Sequence, residues 1–454
     1  MTFDVIVIGS GQAGVPLANR LAGAGKRVLL AERADLGGTC INTGCTPTKT
    51  MMASARAAHV ARTALRLGVR AGQVEVDLAA VVDRKDAIVR RWREGVSKRL
   101  QVDGLTVVRG QARFVGERQV EVGGEVHSAE IMVINVGVRP LVPPIDGLAQ
   151  VPWLDNATVM QLRQVPAHLL VLGGGYIGCE FGQMFRRFGS RVTIVDQMEH
   201  LMSREDPEIS SALEGVFRAE EIALELGQRT TRVEGRAGEV TLALGNGKTL
   251  RGSHLLVAVG RRPNTDDLGC EKAGIALDPK GFVVADGQYR TSAKGVYAVG
   301  DVLGGPQFTH TSWDDHRLLF DILLGRSRRS RFERFIPYTA FTDPQVAGVG
   351  LTEKEARERG VAFESAGMPF GDIARAVETD ETAGQMKVLV DPKTERVLGA
   401  ALVGAEAGEL IHVFVALMQA GASARAIVDA EFVHPTFSEG VQSLVMKLER
   451  FSLR

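Results

Sequence analysis

One supersecondary unit occurs twice in this chain and constrains its fold more than any other feature. Residues 3–8, Phe-Asp-Val-Ile-Val-Ile, read as an apolar strand running into Gly9-Ser-Gly11-Gln-Ala-Gly14, then a helical stretch through Leu21 and a strand, Val28–Ala31, ending at Glu32. Residues 169–172, Leu-Leu-Val-Leu, run into Gly173-Gly-Gly175-Tyr-Ile-Gly178, then a helix to about Phe188 and the strand Val192–Val195, ending at Asp196. The acid lies 23 residues beyond the first glycine in both copies. In a chain with 52 glycines a lone G-x-G-x-x-G carries little weight. Here each copy follows a strand, opens a helix and meets a carboxylate at the end of the next strand, which together is the dinucleotide-binding signature. Glycines let backbone N–H groups approach a pyrophosphate, the helix N-terminus offers the positive end of its dipole, and the acid accepts ribose hydroxyls. Two copies imply two dinucleotides. A carboxylate repels a 2′-phosphate, and no arginine follows Asp196 until Arg204, so the second site is expected to favour NADH over NADPH. A turn-capping acid is the bland alternative for Asp196.

At 454 residues the chain exceeds what one core serves, and about three domains are expected at ~150 residues each. Lysine plus arginine equal aspartate plus glutamate, at 54 each, so no global field favours nucleic acid or acidic lipid. The run Arg326-Ser-Arg-Arg-Ser-Arg331 reads as a solvated linker. The start, Met1-Thr-Phe-Asp-Val, has no basic leader, and no later apolar run approaches the ~20 residues of a membrane span. The expectation is a soluble, unexported, cytoplasmic protein.

Cys40 and Cys45 lie five apart in Gly38-Thr39-Cys40-Ile-Asn-Thr-Gly-Cys45-Thr-Pro-Thr-Lys49. The spacing is not Cys-x-x-Cys, and no second cysteine pair completes a tetrahedral metal site, so no metal centre is expected and a redox-active dithiol is the live reading. Cys179 and Cys270, isolated in apolar or glycine-rich surroundings, are assigned no role.

With the cysteine segment, both glycine signatures, Thr291-Ser-Ala-Lys-Gly-Val-Tyr-Ala-Val-Gly-Asp301 and His434-Pro-Thr-Phe-Ser-Glu439, the chain resembles, over nearly its whole length, the flavoprotein disulfide reductases that include dihydrolipoyl dehydrogenase, glutathione reductase and mercuric reductase. The resemblance implies FAD at the first signature (Gly9, Gly11, Gly14, Glu32, Arg33, Gly38, Thr39) and a nicotinamide nucleotide at the second (Gly173, Gly175, Gly178, Asp196). It implies further FAD contacts at Gly110 and Ala112, at Gly137 and at Asp301, the last to the ribitol. Ile134-Asn-Val-Gly137 departs from the family's Ala-Thr-Gly while Pro140 is kept; residues 256–263, with Gly260, repeat that element.

By the same resemblance Cys45 faces the flavin and Cys40 the substrate. The helix beginning near Cys45 would set its dipole on that sulfur and favour the thiolate. Lys49, one helical turn on, is implied to approach the flavin and to pair with Glu180, which also reads as a first-turn acid of its helix. Tyr176 resembles the family's gate over the flavin. Exchange needs a base active near neutral pH; His434, oriented by Glu439, takes that role by resemblance, reaching the dithiol of the partner subunit in a homodimer whose active site spans the interface.

The expected fold is α/β, with two Rossmann-like domains, the second inserted in the first, and a C-terminal α+β dimerisation domain. The boundaries read 1–150 with 285–335 for FAD, 151–284 for the nicotinamide nucleotide, and 336–454 for dimerisation. The expected function is NAD(P)H-dependent reduction of a small-molecule disulfide, or dihydrolipoyl dehydrogenase chemistry. The alternatives are a mercuric-reductase-like enzyme acting on metal ions, quinones or oxidants, and a non-catalytic flavin-binding protein. Transfer of metal along a C-terminal cysteine pair is not expected, because the sequence ends Arg450-Phe-Ser-Leu-Arg454.

Overall fold

A computed structural model describes residues 2–452; Met1, Leu453 and Arg454, named in the reading of the termini, lie outside the described residues. The chain divides into two compact units. One comprises Met1–Met51, Ala80–Leu141 and Gly260–Arg334, and the other Met52–Ala79, Val142–Val259 and Phe335–Arg454.

The first unit is built on a seven-stranded sheet. Strand Thr2–Ile8 lies between Val28–Glu32 and Glu125–Ile134, parallel to both. Leu105–Arg109 extends the sheet on one side, and Val296–Ala298 pairs in parallel with the far end of Glu125–Ile134. Alternate residues serve opposite faces: Val5, Val7, Val28 and Leu30 join one core, and Ile6, Ile8, Leu29 and Ala31 join another. A strand buried on both faces reads as an unbroken apolar run, which is why residues 5–8 show no polar alternation. Helices Gly14–Gly23 and Thr309–Leu323 cover the first of these cores.

In the second unit the repeated motif forms a four-stranded parallel sheet from Ala223–Glu225, Arg191–Val195, His168–Leu172 and His254–Val257. A three-stranded antiparallel sheet, Thr230–Arg236, Glu239–Leu244 and Thr249–Gly252, packs Val233, Val240 and Leu242 into the same core. The unit also holds a five-stranded antiparallel sheet whose central strands are Val397–Gly404 and Gln385–Val390. Helices Ala407–Ala420 and Glu439–Met446 bury Phe414, Leu410, Val441 and Leu444 in that sheet's core. The expected α/β architecture with an interrupted first domain and a C-terminal α+β region is what the chain adopts.

The sequence reading places the return to the first domain at residue 285; in the structure residues 260–284 already pack with the first unit. Arg261–Pro263 pairs antiparallel with Val138–Pro140, and Phe114 N–H donates to Leu268 O at 2.8 Å. The two repeated x-x-Pro elements thus pair with each other, which no local pattern announces.

Backbone touches backbone where each glycine signature turns from strand to helix. A Cβ on Gly14 would lie 2.0 Å from Gly9 O, and one on Gly178 would lie 1.9 Å from Gly173 O. Gly175, in contrast, has nothing within 4 Å and φ −78°, a conformation open to alanine. Gly14→Ala and Gly178→Ala should each destabilise the fold by about 1–3 kcal/mol, while Gly175→Ala stays within about 0.5 kcal/mol of wild type. Urea unfolding of the three variants measures this, and equal losses at all three positions would contradict the close-approach account.

Candidate active site

Both signatures are braced in the same way. Gly9 N–H donates to Ala31 O and Gly173 N–H to Val195 O, each at 2.8 Å; Asn135 N–H reaches Ile8 O and Ala258 N–H reaches Leu172 O, also at 2.8 Å. The acids close the turns. Glu32 Oε2 accepts from Ser10 N–H at 2.9 Å and from Ser10 Oγ at 2.6 Å, and its Oε1 accepts from Ala34 N–H. Asp196 Oδ2 accepts from Gly174 N–H at 2.5 Å, and Oδ1 from Met198 N–H at 2.8 Å. Asp196 therefore does cap its turn. Each carboxylate keeps further lone-pair capacity for a ribose hydroxyl, Glu32 at Oε1 and Asp196 at both oxygens, so the capping and binding roles are compatible.

The first signature holds a cradle that a Cβ would fill. Gly9 carries φ +103°, and a side chain there would meet Asn135 O at 2.3 Å. Asn135 Nδ2 donates to Gly9 O at 3.0 Å, and the same amide lies where a Cβ on Gly11 or Gly300 would sit, at 3.1 Å from each. The residue that departs from the family pattern thus joins the glycine turn to the Gly300–Asp301 element. Sequence reading registered Asn135 only as a departure. Asp301 accepts from Ser312 Oγ at 3.2 Å and faces Arg261 Nη1 at 3.5 Å. Burial raises its pKa, against the pull of Arg261 and the Ser312 hydrogen bond.

Around these groups, Gln111, between Gly110 and the buried Ala112, accepts from Arg33 at 3.3 Å. Gly137 and Gly260 both adopt positive φ, at +65° and +133°. Bare backbone, an anchored acid and a half-buried Asp301 match the donors and clearances that an adenine dinucleotide needs.

The dithiol is seated on this turn. Gly38 opens the helix Gly38–Asn42, and a Cβ on it would lie 2.7 Å from Gly11 Cα. Thr39 and Cys40 follow in that helix, and Cys45 is the first residue of the helix Cys45–Thr63, with Lys49 on its next turn. Gly44 lets the intervening loop close, since a Cβ there would meet Thr39 O at 2.8 Å and Cys40 Cα at 3.3 Å. Hydrogen bonding to Cys45 first, then burial, then the charge of Cys45 push the Cys40 thiol up. The helix N-terminus at Cys45 is a place that favours a thiolate.

Thr309, which begins helix Thr309–Leu323, was not singled out from sequence, yet its Oγ1 lies 3.3 Å from Cys45 Sγ. Nothing local marks a threonine 264 residues away as a thiol partner. Cys179 and Cys270 are buried; Cys179 Sγ donates to Gly174 O, and burial pushes the Cys270 thiol up to about 11.

In the second unit, helix Tyr176–Phe188 follows Gly175 directly. Glu180 lies in its second turn rather than its first, correcting the dipole-complementing reading, and Glu180 Oε1 accepts from Phe341 N–H at 2.8 Å. Tyr176 donates to Glu205 at 3.2 Å. His434 Nδ1 lies 2.8 Å from Glu439 Oε2, and Thr436 N–H reaches Glu439 Oε1 at 3.4 Å. The His434 side chain is 70% exposed.

A model of the pyridine nucleotide-disulphide oxidoreductases matches residues 3–315, and a model of the dimerisation domain of the same enzymes matches residues 336–445. The chain belongs to the pyridine nucleotide-disulphide oxidoreductase family. It is 36% identical to the probable pyridine nucleotide-disulfide oxidoreductase RclA of Escherichia coli K12, over 97% of this chain and 98% of that protein. It is 34% identical to the dihydrolipoyl dehydrogenase of Thermus scotoductus (99% and 98%) and 32% identical to a mercuric reductase of Staphylococcus aureus (99% and 83%). The solved Cu(II) complex of the HOCl-induced flavoprotein disulfide reductase RclA from Escherichia coli superimposes with a TM-score of 0.88, covering 97% of this chain and 99% of that one.

The chain is thus a flavoprotein oxidoreductase of a family that uses FAD and pyridine nucleotides, and it carries the dimerisation domain. No helix among the described residues is long and apolar enough to cross a membrane.

Removal of the Thr309 hydroxyl should raise the thiolate titration of the dithiol by about one pH unit, the effect of losing one hydrogen bond to an ionised group. Thiolate absorbance against pH in Thr309→Val measures it, and an unmoved midpoint would show that the 3.3 Å contact carries no charge stabilisation.

Proposed function

We propose that this protein is an FAD-dependent, NADH-oxidising disulfide reductase in which Cys40 and Cys45 are the redox-active pair. The observation that carries the reading is the seating of that pair on the first glycine turn, Gly38 against Gly11, with Cys45 at a helix N-terminus and beside a hydroxyl. Bound FAD would supply the two-electron relay between a hydride donor and a dithiol. Gly9, Gly11, Gly14, Glu32, Arg33, Gly38, Thr39, Lys49, Gly110, Ala112, Gly137 and Asp301 would hold it. Gly173, Gly175, Tyr176, Gly178, Asp196 and Gly260 would hold NADH.

The chemistry of the chain's own residues follows from their placement. In the reduced pair Cys40 is the attacking sulfur: as it loses its proton it forms a mixed disulfide with one substrate sulfur and releases the other as thiolate. Cys45 then attacks Cys40, releasing the second substrate thiol and closing the Cys40–Cys45 bond. His434, with Nδ1 held by Glu439, is placed to accept the Cys40 proton at its other nitrogen and return it to the leaving thiolate. The exposed ring supports delivery to the dithiol of a partner subunit, so the active form is a homodimer with a shared site. Glu180 is buried and accepts from Phe341 N–H, and by the family resemblance Lys49 is its cation.

The domain division we propose is 1–141 with 260–335 for FAD, 142–259 for NADH, and 336–454 for dimerisation. Asp196 disfavours a 2′-phosphate, hence NADH over NADPH. A cytoplasmic location fits a dithiol that cycles through its reduced form.

The likeness to RclA, solved as a Cu(II) complex, favours a second reading in which a metal ion such as Cu(II) is the substrate met by the same two sulfurs.

NADH oxidation assayed against lipoamide, oxidised glutathione, Hg(II), Cu(II) and a quinone separates the two readings. Cys40→Ser should abolish disulfide reduction while keeping a thiolate-to-flavin absorbance near about 530 nm, which Cys45→Ser should lose. Full disulfide turnover by Cys40→Ser would exclude the dithiol route. His434→Ala should lower disulfide turnover by about 100-fold or more, the usual contribution of a positioned acid–base group, without altering NADH-driven flavin reduction.

A further inference from the structure

The helix that follows the second glycine turn lays one face along residues 338–343. Tyr176, Glu180, Gln183 and Arg187 recur at the spacing of a single helical stripe. The Tyr176 ring lies 5.9 Å from that of Tyr338, and Glu180 accepts from Phe341 N–H. Gln183 exchanges two hydrogen bonds with the Asp343 backbone, at 2.6 and 2.8 Å, and Arg187 pairs with Asp343 at 2.6 Å and with Glu220 at 2.7 Å. Three of these contacts involve backbone or full ion pairs and have no reason to open.

The first is different. Tyr176 donates to Glu205 Oε1 at 3.2 Å, and Tyr338 donates to Glu205 Oε2 at 2.6 Å. Glu205 is held there by the glycine turn itself: Met202 N–H donates to Gly174 O, and Glu205 N–H donates to Met202 O, both at 2.8 Å. Met202 adopts the left-handed conformation, φ 48°, to make that turn.

We infer that Glu205 is a positioning residue for the nicotinamide nucleotide, a carboxylate clasp that fixes Tyr176 at the mouth of the second site and releases it on protonation. The inference rests on the assignment of the second glycine turn to NADH. Tyr176 follows Gly175 at the helix N-terminus, where a dinucleotide pyrophosphate sits. A tyrosine free to change rotamer there competes with the ligand for space, and one held in place does not, so the clasp preorganises the site.

Glu205 is 6% exposed, and burial lifts its pKa to about 7, against the two tyrosine hydrogen bonds that lower it. The charged groups around it are Asp206 beside it and Glu355 from helix Glu353–Glu358, both of which raise its pKa, and Arg204, which acts on Tyr176. Asp206 is itself bound to Lys387 at 3.1 Å. The sign follows: above about pH 7 the carboxylate is ionised and accepts from both phenols; below it, a proton occupies one acceptor site and the clasp loosens.

The test is the apparent Kd for NADH in stopped-flow reduction of the FAD-loaded dimer between about pH 6 and pH 8.5, a range spanning the titration. Wild type should bind NADH about five-fold more weakly at the acid end, the loss expected when a preorganised state becomes a minority population. Glu205→Gln should show the weaker value throughout, with a flat profile. Tyr338→Phe deletes a hydrogen bond that lowers the pKa of Glu205, so its midpoint should move upward while the limiting values stay. Reoxidation of the reduced enzyme by disulfide should be the same in all three proteins.

A Glu205→Gln profile that keeps the wild-type pH dependence, or a Tyr338→Phe midpoint that stays or falls, overturns the clasp. If Glu205→Gln does not fold, Tyr338→Phe alone decides. Absence of NADH-driven flavin reduction in wild type at every pH instead removes the second-site assignment, and the clasp with it.

Discussion

The organising constraint is the contact of backbone with backbone where a strand turns into a helix. With Gly14 and Gly178 each leaving a Cβ position within 2.0 Å of a carbonyl oxygen, the helix can enter only at one distance and one angle. The acid at the end of the following strand is pinned to the turn by the N–H of the residue after the first glycine, so acid and helix dipole are placed together at the turn. In the first unit the same economy extends to the sulfurs, because Gly38 lies on Gly11 and opens the helix that contains Cys40.

These features were legible in the sequence because they are local. Glycine spacing, the strand before it and the acid 23 residues on all fall within one supersecondary unit, and the dithiol with its following helix falls within the next. The strand read at residues 169–172 was equally plain, and it forms at His168–Leu172, since a short apolar run has few other solutions. What escaped was long-range. Thr309 meets Cys45 across 264 residues, and Tyr338 meets Glu205 across 133. The pairing of residues 138–140 with 261–263 follows from the duplication only once both copies are folded. Asn135 was visible as a departure, but its amide gains meaning only where Gly9 and Gly300 converge on it.

The two cysteines show how unequal roles arise from equal side chains. Cys40 sits within a five-residue helix and shares its proton environment with its neighbour, which raises its thiol pKa. Cys45 begins a 19-residue helix and has a hydroxyl at 3.3 Å. The helix N-terminus favours negative charge on Cys45, while the Thr309 hydroxyl acts on both sulfurs, lowering the pKa of Cys40 against the larger effect of Cys45. On the proposed roles, Cys40, whose thiol is pushed up, is the sulfur that needs a base, and a histidine oriented by a carboxylate, as His434 is by Glu439, would answer that need.

Charge in the second unit is distributed with the same selectivity. Arg187 is matched by Glu220 and Asp343, and Lys387 by Asp206, Glu208 and Glu353; the arginine beside Asp343 and the lysine beside Glu353 hold those two carboxyls below their usual range. Glu205, adjacent to Asp206, receives two phenols instead. Phenols stabilise a carboxylate by hydrogen bonding alone, which offsets burial only in part and leaves the group titrating near neutrality. A cation in that place would have made a stronger tie, but one that no physiological change in pH could open. On the proposed function, in which that turn admits and releases a nucleotide on every cycle, the weaker tie is the one consistent with turnover.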